Sequence, residues 1–300
     1  METLSPSDTL VIILSETRAH ELTYQLFEKN VLKHLNADLA LCVRNNEKRE
    51  NNPFYQNAKY IWDYEEESSD LSKYYDMISK QENSTEDWKK ILLLDTMLAG
   101  GLPGHMGSGA YNYLYKWYLV QNIRNLGLVR KYKWFVLARS DNMWNVPHLS
   151  MSDLDEDKIY IPNGEHHSGY CDRHLIVSYK YFEQCINLMK LIIHFPDSVV
   201  QNNPINPESL FKLCIEKNGL KNNIVFFPYM MYTVRAIDGA TRWSIGEYYP
   251  ELGYCIKYAA EYDLYKVYIQ NNYPNLINTT VPKNPSSTLL NVKNCKIVFN

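Results

Sequence analysis

The chain has 300 residues, 45% of them hydrophobic, and its 31 lysines and arginines against 34 aspartates and glutamates leave a formal charge of -3. That length can bury a sizeable core in one large domain, and the near-neutral balance excludes the broad basic face with which a protein grips a nucleic-acid backbone. No apolar run is long enough to span a bilayer, and METLSPSDTL lacks a basic region followed by an apolar one, so neither a membrane span nor a secretion signal is expected.

Thr9 to Ser15 (TLVIILS) is a continuous apolar run rich in β-branched residues and bounded by polar ones, which suits a strand buried on both faces. HELTYQLFEKNVLKHL follows, with Leu22, Leu26, Val31 and Leu35 near one face, and predicts a helix. Ala37 to Val43 (ADLALCV) is a second buried strand, so the opening reads β-α-β, the unit from which parallel sheets are built. From Arg44 to about Lys90 the chain turns polar, with Tyr60 to Trp62 as a short strand. GGLPGHMGSG, at 100–109, is a loop, since glycine weakens helices and strands alike but permits close backbone approach. Ser108 then caps a long helix with a stripe of Tyr111, Leu114, Tyr115, Tyr118, Leu119 and Leu126, ended by Gly127. Strands follow at Trp134 to Ala138 and Lys158 to Ile161, and a mixed helical region runs from about Ser178 to Ile193. Asn206-Pro207-Glu208 opens another helix, and IVFFPYMMYTVR gives one or two strands. The tail beyond Pro274, rich in Asn, Pro, Ser and Thr, is a poor candidate for order.

In open α/β sheets the ligand sits outside the carboxyl ends of the strands, so polar groups just past Ser15, Val43 and Ala138 converge on one crevice. Asp141 ends the Trp134–Ala138 segment behind Arg139 and Ser140. A single carboxylate there can hold Mg²⁺ or Mn²⁺, or it can simply cap a turn. Arg18, in Ser15-Glu16-Thr17-Arg18, brings a planar fork suited to phosphate oxygens, although an exposed arginine at a helix start is more often just solvated. Lys116 either reaches a phosphate or snorkels to water. The run from Gly164 to His174 packs two acids, three imidazoles and a guanidinium into eleven residues. Asp172 is its candidate for a base that takes a proton from an acceptor hydroxyl, against an ion pair with Arg173 or a helix cap. His166 and His167 lack the spacing of a helical zinc site. Glu208 reads most simply as an acid in a helix's first turn, and Arg235 ends an apolar strand. The six cysteines, Cys42, Cys171, Cys185, Cys214, Cys255 and Cys295, show no CxxC spacing and read as reduced thiols of a cytoplasmic protein.

Taken in order, VIILSETRAHELTYQLFEKNVLKHLNADLALCV, GSGAYNYLYKWYL, YKWFVLARSDNMW, IPNGEHHSGYCDRH and NPESLF resemble a group of glycosyltransferases found in bacteria and in large DNA viruses, and together they cover most of residues 9–235. The resemblance implies a GT-A fold: α/β, Rossmann-like, with a mixed, mostly parallel central sheet flanked by helices. It implies a single domain over 1–273, with a donor-binding half at about 9–145 and an acceptor-binding half at about 146–273, followed by a tail at 274–300. The implied partners are a UDP- or GDP-sugar donor and a glycan acceptor, and the implied cofactor is Mn²⁺ or Mg²⁺. Asp141 stands where such enzymes hold their metal-binding aspartate, but in Ser140-Asp141-Asn142 instead of Asp-x-Asp. Ser15, Thr17 and Arg18 fall where the first strand's end meets the nucleotide, and Asp172 falls where inverting members place their base.

The expectation is therefore a donor bound by Ser15, Thr17, Arg18, Lys116, Arg139 and a metal on Asp141. Asp172 would be catalytic, with His167 and Arg173 beside the acceptor, and displacement would invert the anomeric carbon, or retain its configuration if Asp172 only positions the acceptor. If the protein is viral, the setting is the host cytoplasm. Two rivals stand beside this reading. The incomplete acidic motif suits a nucleotide- or glycan-binding protein with the fold but no turnover. A metal-dependent phosphoesterase needs more clustered acids than surround Asp141.

Overall fold

The structure is a computed structural model and describes residues 7–44, 49–66, 70–94, 102, 109–202, 206–237 and 246–276. The glycine-rich loop before Gly109, Ser108 with it, the aromatic stretch around Trp243 and the tail past Leu276 lie outside the described residues.

The apolar runs form the centre of the sheet. β1 (Thr9–Ser15) is buried from Thr9 to Ile13, α1 (His20–Phe27) carries the chain back, and β2 (Asp38–Arg44) pairs with β1 in parallel, Ile12 beside Ala40. The predicted helix does form, but its second half, Glu28–Lys33, widens into a π turn. The buried face carries Thr23, Tyr24, Phe27, Asn30, Val31 and Leu32, and Leu22 and Leu26 are only half-buried. Asn30 donates from this face to the Trp144 carbonyl at 2.6 Å.

α2 (Pro53–Asn57) leads into β3 (Tyr60–Tyr64), parallel to β2. α3 (Ser72–Gln81) precedes α4 (Gly109–Asn125), which packs on β1 and β2. α4 is buried on most sides, through Tyr113, Leu114, Tyr115, Lys116, Trp117, Leu119, Val120 and Ile123, so the single predicted stripe was too narrow. Leu126 lies past the helix end and is exposed; Gly127, at φ 61, takes the left-handed turn that stops it.

β4 (Trp134–Ala138) pairs with the other side of β1, again in parallel, and the two-residue β5 (Asn142–Met143) follows. β6 (Ile159–Pro162) is succeeded by β7 (Leu175–Ser178), a strand that was not expected. β7 inserts between β4 and β6, antiparallel to both. The helical region expected from Ser178 begins instead after it, as α5 (Phe182–Ile186), α6 (Leu188–His194) and α7 (Pro196–Gln201). α8 (Pro207–Lys217) starts where predicted, on a reciprocal cap between Asn206 and Ser209. β8 (Ile224–Phe227) completes a seven-stranded sheet in the order β3-β2-β1-β4-β7-β6-β8, mixed and mostly parallel, which runs across both expected halves of the chain. β9 (Tyr232–Arg235), β10 (Glu247–Tyr249) and β11 (Tyr254–Ile256) join β5 in a second, antiparallel sheet, and α9 (Ala259–Asn272) packs against β9. Among the described residues no helix is long and apolar enough to cross a membrane, and five cysteines are buried free thiols.

Where β5 meets the main core, His148 and His174 face each other Nε2 to Nε2 at 3.0 Å, both against Trp144. Burial, partly opposed by the hydrogen bond to the Leu149 carbonyl, holds His148 down from 6.5 to about 4. Burial holds His174 well below its ordinary value too, and the neighbouring His148 adds to this. The folded state thus binds fewer protons here than the unfolded chain. The stability this pair contributes is full above pH 6.5 and is lost as pH falls toward about 4. Urea midpoints measured from neutral pH downward are expected to drop across that window; a flat profile would refute the assignment.

Candidate active site

The carboxyl ends of β1, β2 and β4 open on a cavity of about 610 Å³. Ser15 ends β1 with φ 75 and lines it. The loop after β1 is held to the loop after β4 by Ser140. Its hydroxyl accepts the Arg18 backbone N–H at 2.7 Å and faces the Arg18 and Glu16 carbonyls at 3.0 and 3.2 Å, and its own carbonyl accepts from the Thr23 hydroxyl at 2.6 Å. Thr17 is turned away from the cavity, its hydroxyl accepting from Asn52 Nδ2 at 2.8 Å. Arg18 lines the cavity at its rim, half-exposed and paired with Glu16.

Asp141 sits in a ring of cations. Arg139 forks onto it, Nε to Oδ1 at 2.8 Å and Nη2 to Oδ2 at 2.9 Å, and Arg235 donates to Oδ2 from the other side. Arg235 arrives there because β5 pairs with β9, Asn142 beside Thr233, and the Val234 N–H donates to the Asp141 carbonyl at 2.9 Å. Asp141 is 2% exposed. Burial works against its charge, but Arg139, Arg235 and Arg18 outweigh that and hold the carboxyl well below the usual range. Among the described residues, the buried Nε and Nη2 of Arg235 have no hydrogen-bond partner. Lys257, tied through its N–H to the Thr233 carbonyl at 2.9 Å, lines the same cavity. Burial first, then Arg235 and Arg139, push it down to about 7, with Asp141 opposing.

This arrangement does not fit a divalent ion on Asp141. Such ions take oxygen ligands, and both oxygens of Asp141 are already held by guanidinium groups. An ion would also enter beside Arg18, Arg139, Arg235 and Lys257. Among the described residues no three His, Cys, Asp or Glu side chains come together as a metal-holding group.

The opposite wall depends on β7. Because β7 runs against β4, with Leu175 beside Leu137, the residues just before it arrive at the edge where β4 ends, and Asp172 and Arg173 line the cavity. Asp172 Oδ2 accepts from Asn112 Nδ2 at 3.0 Å and lies 3.6 Å from Lys116 Nζ. Lys116 is therefore buried against this carboxylate and over the Phe211 ring; it does not snorkel. Burial opposes the Asp172 charge, yet Lys116, Arg173 and Asn112 prevail and keep its pKa below the ordinary value. Glu208, 9% exposed in the first turn of α8, lies on the same wall and goes the other way. Burial, and then the Asp172 charge, push it up to about 7. Two carboxylates with environments that drive their pKa values apart are suited to different tasks.

The segment before β7 is pinned to α8. A Cβ on Gly169 would lie 2.0 Å from the Glu208 backbone, the Tyr170 N–H donates to the Glu208 carbonyl at 3.0 Å, and Asn206 Nδ2 donates to the His167 carbonyl at 2.7 Å. Arg173 is committed to structure: its Nη1 donates to Glu261 at 2.7 Å and Glu165 at 3.2 Å, and its guanidinium lies 4.2 Å from the Tyr258 ring centroid. His167 is exposed beside Glu165 and outside the cavity lining.

Of the residues singled out in the sequence, Ser15, Arg18, Lys116, Arg139, Asp141, Asp172 and Arg173 thus share one cavity, whereas Thr17 and His167 do not line it. Lys257 was missed; nothing local marks it. Arg235 and Glu208 were named but given no firm role, and only their tertiary partners bring them in.

No family model matches the sequence, and no curated protein does. Among solved structures the chain is similar to a glycosyltransferase involved in the glycosylation of the major capsid of PBCV-1, with TM-score 0.39 and 11% identity over 74% of this chain and 83% of that one. Apo mouse xyloside xylosyltransferase 1 gives TM-score 0.36 and 8% identity over 73% and 84%. A structure described as a transferase mutant gives TM-score 0.38 and 13% identity over 75% and 93%.

Proposed function

We propose that the protein is a glycosyltransferase that moves a sugar from a nucleoside diphosphate sugar onto a hydroxyl of a glycan acceptor. One observation carries the proposal. A single cavity at the carboxyl edge of parallel strands has a cation ring around Asp141 on one wall and a split carboxylate pair, Asp172 and Glu208, on the other. A cation-rich wall suits the diphosphate, whose charge grows as it leaves. A carboxylate poised near neutrality suits removal of the acceptor proton.

Glu208 takes the proton from the acceptor hydroxyl, the freed oxygen bonds to the anomeric carbon, and the bond from that carbon to the diphosphate breaks, so the nucleoside diphosphate departs with the bonding pair and the carbon inverts. Asp172, expected from the sequence to be the base, is the weaker candidate because its oxygen is already engaged by Asn112 and faced by Lys116. It raises the basicity of Glu208 and orients the acceptor. The reading in which the fold binds without turning over is separated by product analysis, since it gives nucleotide binding and no transfer.

The test is a thermal-shift screen against UDP, GDP, TDP, CMP and their sugar conjugates. One nucleotide class is expected to raise the melting temperature by several degrees at saturating concentration. Asp141→Ala, which releases both arginines, is expected to abolish that shift. A folded chain that no nucleotide stabilises would leave the proposal without support.

A further inference from the structure

Arg139 and Arg235 place two guanidinium groups on the one carboxylate of Asp141 and occupy both of its oxygens. Arg139, Lys257 and the half-exposed Arg18, which is paired with Glu16, line the cavity, while Arg235, 2% exposed, stands behind Asp141. Like charges crowd here: burial, Arg235 and Arg139 depress Lys257 to about 7. The ligand that relieves this crowding is an anion with several oxygens. A divalent cation would aggravate the crowding and must first strip Arg139 or Arg235 from Asp141.

We infer that Arg18, Arg139 and Lys257 alone bind the donor's diphosphate and neutralise it as it leaves, while Asp141, clamped from behind by Arg235, aligns Arg139 instead of holding a metal ion. The inference rests on the nucleotide-sugar reading above. In chemical terms the guanidinium and ammonium groups supply the positive charge that a metal provides elsewhere, and they supply it from fixed positions, without reorganisation as the bond breaks. Arg139 keeps a guanidinium partly open to the cavity, and Arg18 closes the rim.

The experiment titrates UDP and GDP into the full chain by calorimetry, once with excess Mn²⁺ and once after exhaustive chelation, and titrates Mn²⁺ alone into the free protein. The tighter-binding nucleotide is expected to keep its dissociation constant within about threefold between the two conditions, and Mn²⁺ alone to show no binding that Asp141→Asn removes. Arg18→Met, at the exposed rim where folding is not at stake, is expected to weaken that nucleotide by roughly 10-fold, and Lys257→Met by roughly 10- to 100-fold, as loss of a charge-assisted contact requires. Binding that falls tenfold or more on chelation and returns with Mn²⁺ would overturn the inference and leave the transferase reading standing. Failure of both nucleotides under both conditions, with no response in the wider nucleotide screen, would overturn the transferase reading, and this inference with it.

Discussion

Glu208→Gln is expected to slow release of nucleoside diphosphate from the donor in the presence of acceptor by ~10²- to 10⁴-fold, with nucleotide binding changed by less than about threefold. The amide keeps the size of the side chain and loses the ability to take a proton. A base must be ionised to act, and Glu208 is pushed up to about 7 by burial and by Asp172. The parent rate is therefore expected to climb as pH rises through about 7, and that limb should vanish in the variant. Asp172→Asn separates the two carboxylates. Losing the negative neighbour lowers the Glu208 pKa, so the limb is expected to persist and move to lower pH, with a smaller fall in rate. If instead Asp172→Asn removes the limb and Glu208→Gln retains it, Asp172 is the base and the assignment is reversed.

Glu261→Ala is expected to cost about 3–5 kcal/mol of stability, read as a large drop in urea midpoint. Glu261 is fully buried at the start of α9. Its carboxylate accepts from Arg173 at 2.7 Å, from the Thr233 N–H at 2.9 Å and from the Tyr229 hydroxyl at 3.4 Å. One side chain thus joins α9, β9 and the segment before β7. Alanine takes from a buried guanidinium its closest carboxylate, leaving the longer contact with Glu165, and takes from a backbone N–H its acceptor. Glu261→Gln retains an acceptor but not the charge, and should lose less. An unfolding free energy within about 0.5 kcal/mol of the parent for the alanine variant would show that the network contributes nothing.

The parts of this fold that could be read from the sequence are those whose pattern is local. TLVIILS and WFVLA are unbroken apolar runs because their strands lie between other strands and are covered on both faces, and Asn206-Pro207 carries its own cap. β7 was not legible. LIVS is four residues long, too short to display a period, and it precedes a segment with helical character. Missing it hid the reason why Asp172 shares an edge with Asp141. The site shows the same division. Asp141 and Arg18 are marked by the strand ends before them, whereas the clamp of Arg235 on Asp141 needs the two-residue β5 to pair with the distant β9. Glu208 obeys a local rule for first-turn acids, and that rule concealed the burial that sets its chemistry. That both oxygens of Asp141 are engaged could not be read for a tertiary reason too: the second arginine comes from β9.

β6 and β7 are adjacent and antiparallel, Tyr160 beside Ile176, so the stretch from 163 to 174 leaves the sheet and re-enters it at neighbouring positions. Its ends are fixed by the sheet whatever its length, and lengthening such a closed connection costs little, about 0.6 kcal/mol for each doubling. The cation-rich wall of the cavity is built from other segments: the ends of β1 and β4 and the residues after β11. The stretch is closed but not free: Gly169 and Tyr170 lie on the α8 backbone and Arg173 is buried with Glu261. Under the proposed reading, tuning of the acceptor side is therefore confined to its exposed positions, such as His167, where a change leaves both the cation wall and that packing in place.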